Sequence, residues 1–206
     1  MKTVILVQHT ESEHHLNGHI GAWQDWQLTQ HGREQAFRIG EWLKDAGCGG
    51  AWEMFVSPQI RARQTAEEIN RTLGLTPLVR EELREVNAGE GNGKTREWYR
   101  AHEAPRGPGF DPDYRPFPDA ESDRELWNRL LPFYLDLMAS PAERILVVSH
   151  GTTLSFLQSM LAGQRVEDRG RFRFSGSSGS VSRFTVEDSG RVTAAFVNRN
   201  VLPEQV

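Results

Sequence analysis

Val4-Ile5-Leu6-Val7-Gln8-His9-Thr10-Glu11-Ser12 opens with four apolar residues, three of them β-branched, and runs into a polar cluster headed by a histidine. A run this short and this branched reads as a buried strand. The pattern returns once, as Ile145-Leu146-Val147-Val148 followed by Ser149-His150-Gly151. Open α/β sheets take their ligands beyond the carboxyl ends of the strands. His9 and His150 are therefore expected to face one pocket.

Strands and helices alternate outward from these two runs. Thr29 reads as the N-cap of a helix over 30–46, with Ala36, Phe37, Gly40, Leu43 and Ala46 at helical spacing and Gly47 as its stop. A second strand over 53–57 leads through Pro58 into a helix that ends at Leu73 before Gly74, and 78–83 reads as a weaker strand. A helix over 122–139 is expected to bend at Pro132. Beyond the strand 144–149, a helix reaches Leu161. Two alternating runs, 180–187 and 191–198, flank Asp188-Ser189-Gly190 as a hairpin. The expected fold class is α/β, a three-layer sandwich whose mainly parallel sheet carries helices on both faces and the hairpin at one edge.

Residues 11–28 form a polar loop in this reading. Residues 88–120, with interspersed Trp98, Tyr99, Phe110, Tyr114 and Phe117, read as a lid over the active site containing a short helix near 96–102. A length of 206 residues suits one domain spanning 1–206. A net charge of −4 argues against general affinity for nucleic acid or an anionic membrane, so an anion site must be a local gathering of Arg and His. The single cysteine, Cys48, excludes an internal disulfide and points to a reducing compartment. The four-residue apolar run at the N-terminus is too short for a signal-peptide core, which makes the cytoplasm the expected location. Nothing in the composition specifies an oligomeric state.

Four chemically able groups fall at or near strand ends: His9, Arg61 in the turn and helix after Ser57, Glu85, and His150. A histidine can attack phosphorus, and catalysis of that transfer rests on positioning and on donors around the phosphoryl oxygens. Arg61 offers a guanidinium fork, and Glu85 a carboxyl group to protonate the departing oxygen. Taken singly, each has a plainer reading: a structural histidine, a solvated arginine, one member of the charge run 81–85.

Together these residues resemble the histidine phosphatase superfamily, the phosphoglycerate-mutase-like proteins. Gln8-His9-Thr10-Glu11-Ser12 is similar to the Arg-His-Gly-Glu-Thr signature, and Leu28-Thr29-Gln30-His31-Gly32-Arg33-Glu34-Gln35-Ala36 matches the next element unbroken. Ser57-Pro58-Gln59-Ile60-Arg61-Ala62-Arg63-Gln64-Thr65-Ala66 follows, then Leu83-Arg84-Glu85 with Gly89, Glu121-Ser122, and Val147-Val148-Ser149-His150-Gly151, all in the family's order. The resemblance implies His9 as the phosphorylated nucleophile, Arg61 and His150 as the phosphate clamp, and Glu85 as the proton donor. It implies no metal and no organic cofactor, and a small phosphorylated metabolite as the partner. The chain has no His-Asp dipeptide, so it resembles the branch that uses a glutamate donor. Arg96, Arg100, Arg106 and Arg115 are dispersed, which favours a phosphatase over a mutase.

Two departures flank the nucleophile. Gln8 stands where the family has arginine, and Thr10 where it has glycine. His15 and His19 take the places of the loop's asparagine and arginine. Gln8, Thr10, His15 and Thr152 are the expected phosphate-binding residues, and a protonated histidine among His14, His15 and His19 would restore the missing charge and strengthen binding in acid. The spacing of His15 and His19 also permits a zinc pair, which Asn17 and Gly18 disfavour. Trp23, Trp26, Trp98 and Tyr99 have two open readings, stacking on a substrate ring or covering the core.

Overall fold

The computed structural model describes residues 1–202. Its six strands are β1 (Lys2–Gln8), β2 (Glu53–Val56), β3 (Pro77–Val79), β4 (Arg144–Ser149), β5 (Val181–Val186) and β6 (Val192–Arg199). They form one sheet in the order β3-β2-β4-β1-β5-β6. β3, β2, β4 and β1 run parallel, and β5 and β6 continue the sheet antiparallel. Around it lie α1 (Glu13–Asn17), α2 (Gln30–Asp45), α3 (Ile60–Leu73), α4 (Arg96–His102), α5 (Asp123–Ala139) and α6 (Gly151–Leu161). The expected α/β sandwich with an antiparallel edge is the observed architecture.

The unbroken apolar runs follow from burial on both faces. Along β1, Val4 and Leu6 enter the core shared with α5 and α6, while Ile5 and Val7 enter the core shared with α2 and α3. β4 divides in the same way, Ile145 and Val147 to one face and Leu146 and Val148 to the other. Each face thus removes about 2 kcal/mol worth of side chain from water at each such position.

Close backbone approaches hold the strand ends. The His9 N–H donates to Ser149 O at 2.8 Å, and the Ser57 N–H donates to Val148 O at 3.1 Å, tying three strand ends together. Thr29 caps α2 through Gly32 N–H, and a Cβ at Gly32 would lie 1.9 Å from Glu11 O. The residue therefore has to be glycine for α2 to sit against the chain leaving β1. Gly179, at φ +74°, donates its N–H to both Gln8 O and His9 O.

Some expectations change at this level. Residues 81–83 form a 3-10 turn after a β3 of only three residues, because Arg80 and Glu81 carbonyls accept turn bonds from Leu83 and Arg84. The loop 11–28 contains α1, closed by Gly18 at φ +73°. The segment 88–120 contains α4 over 96–102, as its pattern predicts. It is stitched to itself, with Ala104 N–H on Pro116 O, and to the 18–24 segment, with Ile20 N–H on Lys94 O and Arg96 N–H on Gly18 O. None of its residues is among those that line the cleft described below. Pro132 lies inside α5.

Candidate active site

β1, β4, the turn after β2 and the chain after residues 81–83 all deliver side chains to the carboxyl edge of the sheet. There an open cleft of about 360 Å³ is lined by Gln8, His9, His14, His15, Glu85 and Thr152, with the 169–176 stretch opposite. Arg61 and His150 lie directly behind His9 and are fully buried. Arg61 Nε donates to His9 Nε2 at 3.3 Å, and the His150 ring stands edge-on to His9 at 5.2 Å. The quartet read from the sequence is therefore one cluster in space.

The orientation of His9 is set by its own backbone. Its Nδ1 lies 2.9 Å from Thr10 O, and a carbonyl can only accept, so Nδ1 carries the proton and Nε2 keeps the lone pair. Burial first, and then the Arg61 charge, holds the His9 imidazolium well below the ordinary range. The same two causes act on His150, whose Nε2 is 2.7 Å from Ser57 Oγ. Its Nδ1 is buried and has no partner among the described residues.

Arg61 is fastened by three acceptors. Besides His9, its Nη1 donates to Gln24 O at 2.7 Å and its Nη2 to Ala22 O at 2.9 Å. Ala22 sits at φ +29°, an unusual value for a residue with a Cβ, and its carbonyl also accepts from Gln59 Nε2 at 2.6 Å. Gln59 Oε1 in turn accepts the Glu85 N–H at 2.8 Å. Gln59, buried and unanticipated as a site residue, thus links the arginine turn to the acid loop.

The Glu85 carboxylate caps the start of α6. It accepts from Thr152 N–H and Thr153 N–H, both at 3.1 Å, from Val86 N–H at 2.8 Å, and from Thr153 Oγ1 at 3.2 Å. Its backbone carbonyl is held by Trp23 Nε1 at 2.6 Å and Arg129 Nη2 at 3.2 Å. Trp23 is thereby a positioning residue, also stacked under Arg84. Trp98 packs on His102 and Phe117, Tyr99 on Phe117, and Trp26 donates to Ile20 O. None of these aromatics lines the cleft, and each packs on or supports a neighbouring segment.

Thr10 is the expected phosphate-binding residue that the fold does not bring to the cleft. It is buried, its Oγ1 is 3.3 Å from Thr65 Oγ1, and its N–H donates to the same hydroxyl at 3.2 Å. Its β-carbon directs the hydroxyl toward α3. Gln8, by contrast, lines the cleft next to the start of α6, where a Cβ on Gly151 would meet its Nε2 at 3.1 Å.

The histidines of the following loop divide. His14 and His15 lie on α1 and join His9, with ring centroids 5.8 and 5.5 Å from it. His19 lies past the end of α1, bonded to Asn17 O and packed on Trp26, so His15 and His19 do not make a zinc pair. The expected acid-strengthened charge is also corrected. Burial, followed by the neighbouring His15 and Arg61, lowers His14 to about 3, and burial with Arg61 lowers His15. Nitrogens of His9, His14 and His15 lie within 4.8 Å of one another, a grouping that a transition metal could exploit. Here His9 Nε2 already accepts from Arg61, and His15 Nδ1 accepts the Ser12 N–H at 3.1 Å. A cation would displace both bonds and face the guanidinium, so the donor set fits an anion better.

The buried neutral imidazoles of His9, His14 and His150 give an expected pH dependence. In the unfolded chain they return to about 6.5. Between that value and about 3, reached by His14, the unfolded state binds more protons, so stability falls as pH falls. Thermal melts should show the midpoint dropping from pH 6.5 to 5, above the range where most carboxylates titrate. His14→Gln should flatten that slope. A wild-type midpoint unchanged over this window would contradict the burial of these rings.

Residues 4–199 match the family model of the histidine phosphatase superfamily (branch 1), and the chain belongs to that family. It is 32% identical to a 2,3-bisphosphoglycerate-dependent phosphoglycerate mutase of Methylobacterium radiotolerans, covering 79% of this chain and 80% of that protein. A Hydrogenobacter thermophilus protein provisionally named phosphoserine phosphatase 2 is 33% identical, over 82% of each chain. The alpha-ribazole phosphatase of Shigella flexneri shares the fold with a TM-score of 0.82 at 21% identity, covering 99% of this chain and 100% of that one.

Proposed function

We propose that this protein is a phosphomonoesterase that hydrolyses small phosphorylated metabolites through a phosphohistidine at His9. The observation that carries the reading is the fixed His9 tautomer: Nδ1–H on Thr10 O, leaving an unprotonated Nε2 that accepts a 3.3 Å bond from Arg61 Nε, in a cleft that His9 and Glu85 both line. Nε2 gives up its bond from Arg61 Nε and attacks phosphorus, the ester oxygen leaves, and a protonated Glu85 supplies the proton it takes up. Water then attacks the phosphohistidine and gives its proton to Glu85, releasing phosphate and restoring the neutral ring.

The donors for the phosphoryl oxygens are in part neutral. With His15 Nδ1 accepting from Ser12, the neutral ring carries its proton on Nε2, which makes His15 a donor on the cleft wall. Gln8 and the Thr152 side chain, which line the cleft, and the unpartnered His150 Nδ1 complete the set, with Arg61 supplying charge from behind. Hydrolysis of an aryl phosphate and a panel of phosphorylated metabolites across pH 5 to 8 tests the assignment, with release of inorganic phosphate expected. A mutase is the weaker reading, because none of the dispersed arginines of 88–120 lines the cleft.

One observation favours a second reading, a phospholigand-binding protein of low turnover. All three nitrogens of the Arg61 guanidinium are already engaged, and Gln8 brings no charge. Trapping a phosphoenzyme separates the two, since a binder forms none. The same deficit yields a prediction: Gln8→Arg should raise kcat, by about a hundredfold if one preorganised donor is what is lacking. Unchanged kcat at an unchanged melting temperature would mean that the pocket works as built around Gln8 and His15.

A further inference from the structure

The cleft is also lined by residues to which the sequence reading assigns no role. Arg169, in a 3-10 turn over 166–170, and Arg173, in the irregular stretch after it, line the same cleft as His9. Arg169 is buried and rigidly held: its Nη1 donates to Ser155 O at 3.1 Å and Ser159 Oγ at 2.9 Å, and its guanidinium lies 3.5 Å from the centre of the Phe156 ring. Its Nε is buried with no hydrogen-bond partner among the described residues, the Asp123 carboxylate standing off at 3.9 Å.

The charge here does not balance. Asp123 is the carboxylate that faces Arg169, and Arg106 and Arg173 act on that same carboxylate. Neither Arg106 nor Arg173 makes an ion pair among the described residues, whereas Arg124, Arg129 and Arg165 in the same region all do. Three guanidinium groups therefore act on one carboxylate, and two of them, Arg169 and Arg173, line the cleft. Like charges are gathered against their mutual repulsion where an anion is to be received. A lone phosphate on His9 would have Gln8, His15 and Glu85 on the same cleft to receive it, which leaves these arginines without an assigned anion.

We propose that Arg173, backed by the fixed Arg169, forms a subsite for a second anionic group, so that the preferred substrates are phosphate monoesters carrying a carboxylate or a second phosphate. The proposal rests on the phosphatase reading for its substrate class, but not for the site itself. Arg173 would grip the remote anion with its guanidinium fork. Arg169 would add field without moving, since Ser155, Ser159 and Phe156 hold it.

The test compares alkyl phosphates with ω-carboxyalkyl phosphates and α,ω-bisphosphates of matched chain length, from two to six methylenes. Wild-type protein is expected to show a KM about tenfold lower for a doubly anionic ester of one favoured length than for its alkyl counterpart. Arg173→Ala should erase that difference and leave the alkyl phosphates unchanged, while Arg173→Lys should keep part of it. Carboxylate and bisphosphate series distinguish the two sources of charge. No preference at any length, or a preference that survives Arg173→Ala, overturns the subsite. If wild type hydrolyses none of the esters, the phosphatase reading fails, and calorimetry with methylphosphonate and ω-carboxyalkyl phosphonates decides the subsite alone. Tighter binding of the carboxylated ligand that is lost in Arg173→Ala upholds it, and equal binding overturns it.

Discussion

His9→Ala is expected to abolish phosphate release from an aryl phosphate, lowering turnover by on the order of 10⁴-fold or more. The expectation comes from Nε2, the ring atom left free of a proton by the Nδ1–H bond to Thr10 O and held by a 3.3 Å bond from Arg61 Nε. Neighbouring histidines should not substitute for it. His15 has its lone pair turned to the Ser12 N–H, and His14 places Nδ1 at 2.8 Å from Ser12 Oγ. The ring is buried, so its removal leaves a cavity, and a melting curve must accompany the assay. Rapid quench of the wild type should trap acid-labile phosphate on the protein, and the variant should trap none. Turnover within tenfold of wild type in a folded variant would remove His9 from the chemistry.

Arg61→Ala is expected to damage both the fold and the reaction. The guanidinium is buried and satisfies Ala22 O, Gln24 O and His9 Nε2. Burial lowers it to about 10, with Glu85 and Asp25 opposing, so it stays charged at neutral pH. Truncation leaves buried acceptors without donors, a loss of about 3 kcal/mol. For a domain of this size that corresponds to a fall in Tm of roughly 6–12 °C. Activity should fall further than stability explains, because the charge behind the phosphoryl site is removed. Arg61→Lys separates the effects: it keeps a positive charge but cannot reach three divergent acceptors, so it should recover some rate and little stability. A folded Arg61→Ala protein with wild-type kcat would mean that the site draws its charge from elsewhere, with Arg169 and Arg173 the next cations along the cleft.

The legible part of this site is its local part. His9 and His150 could be placed because each follows an apolar run that only a doubly buried strand explains, and strand ends are where such sheets expose side chains. Arg61 and Glu85 were legible through the order of motifs along the chain. Thr10 was not, because the direction of its side chain depends on α3 lying beside it, with Thr65 in reach of its hydroxyl. Nor was the state of His14 and His15, since a loop free of the core would leave them near 6.5, whereas α1 folds them against His9 and Arg61.

By itself the sequence determined the strands other than the short β3, the helix borders at Thr29, Gly74 and Ser122, and which residues make up the candidate quartet, because those depend on periodicity, caps and the order of motifs. Only the tertiary structure decided the rest. It put Gln59 between the arginine turn and the acid loop, turned Trp23 into a support for Glu85, and kept the 88–120 segment out of the cleft. It also brought Arg169 and Arg173 to face His9 across about 160 residues of chain. The physical reason is common to all of these: pairings between distant segments are chosen by packing and by the need to satisfy buried polar groups, neither of which has a period along the chain.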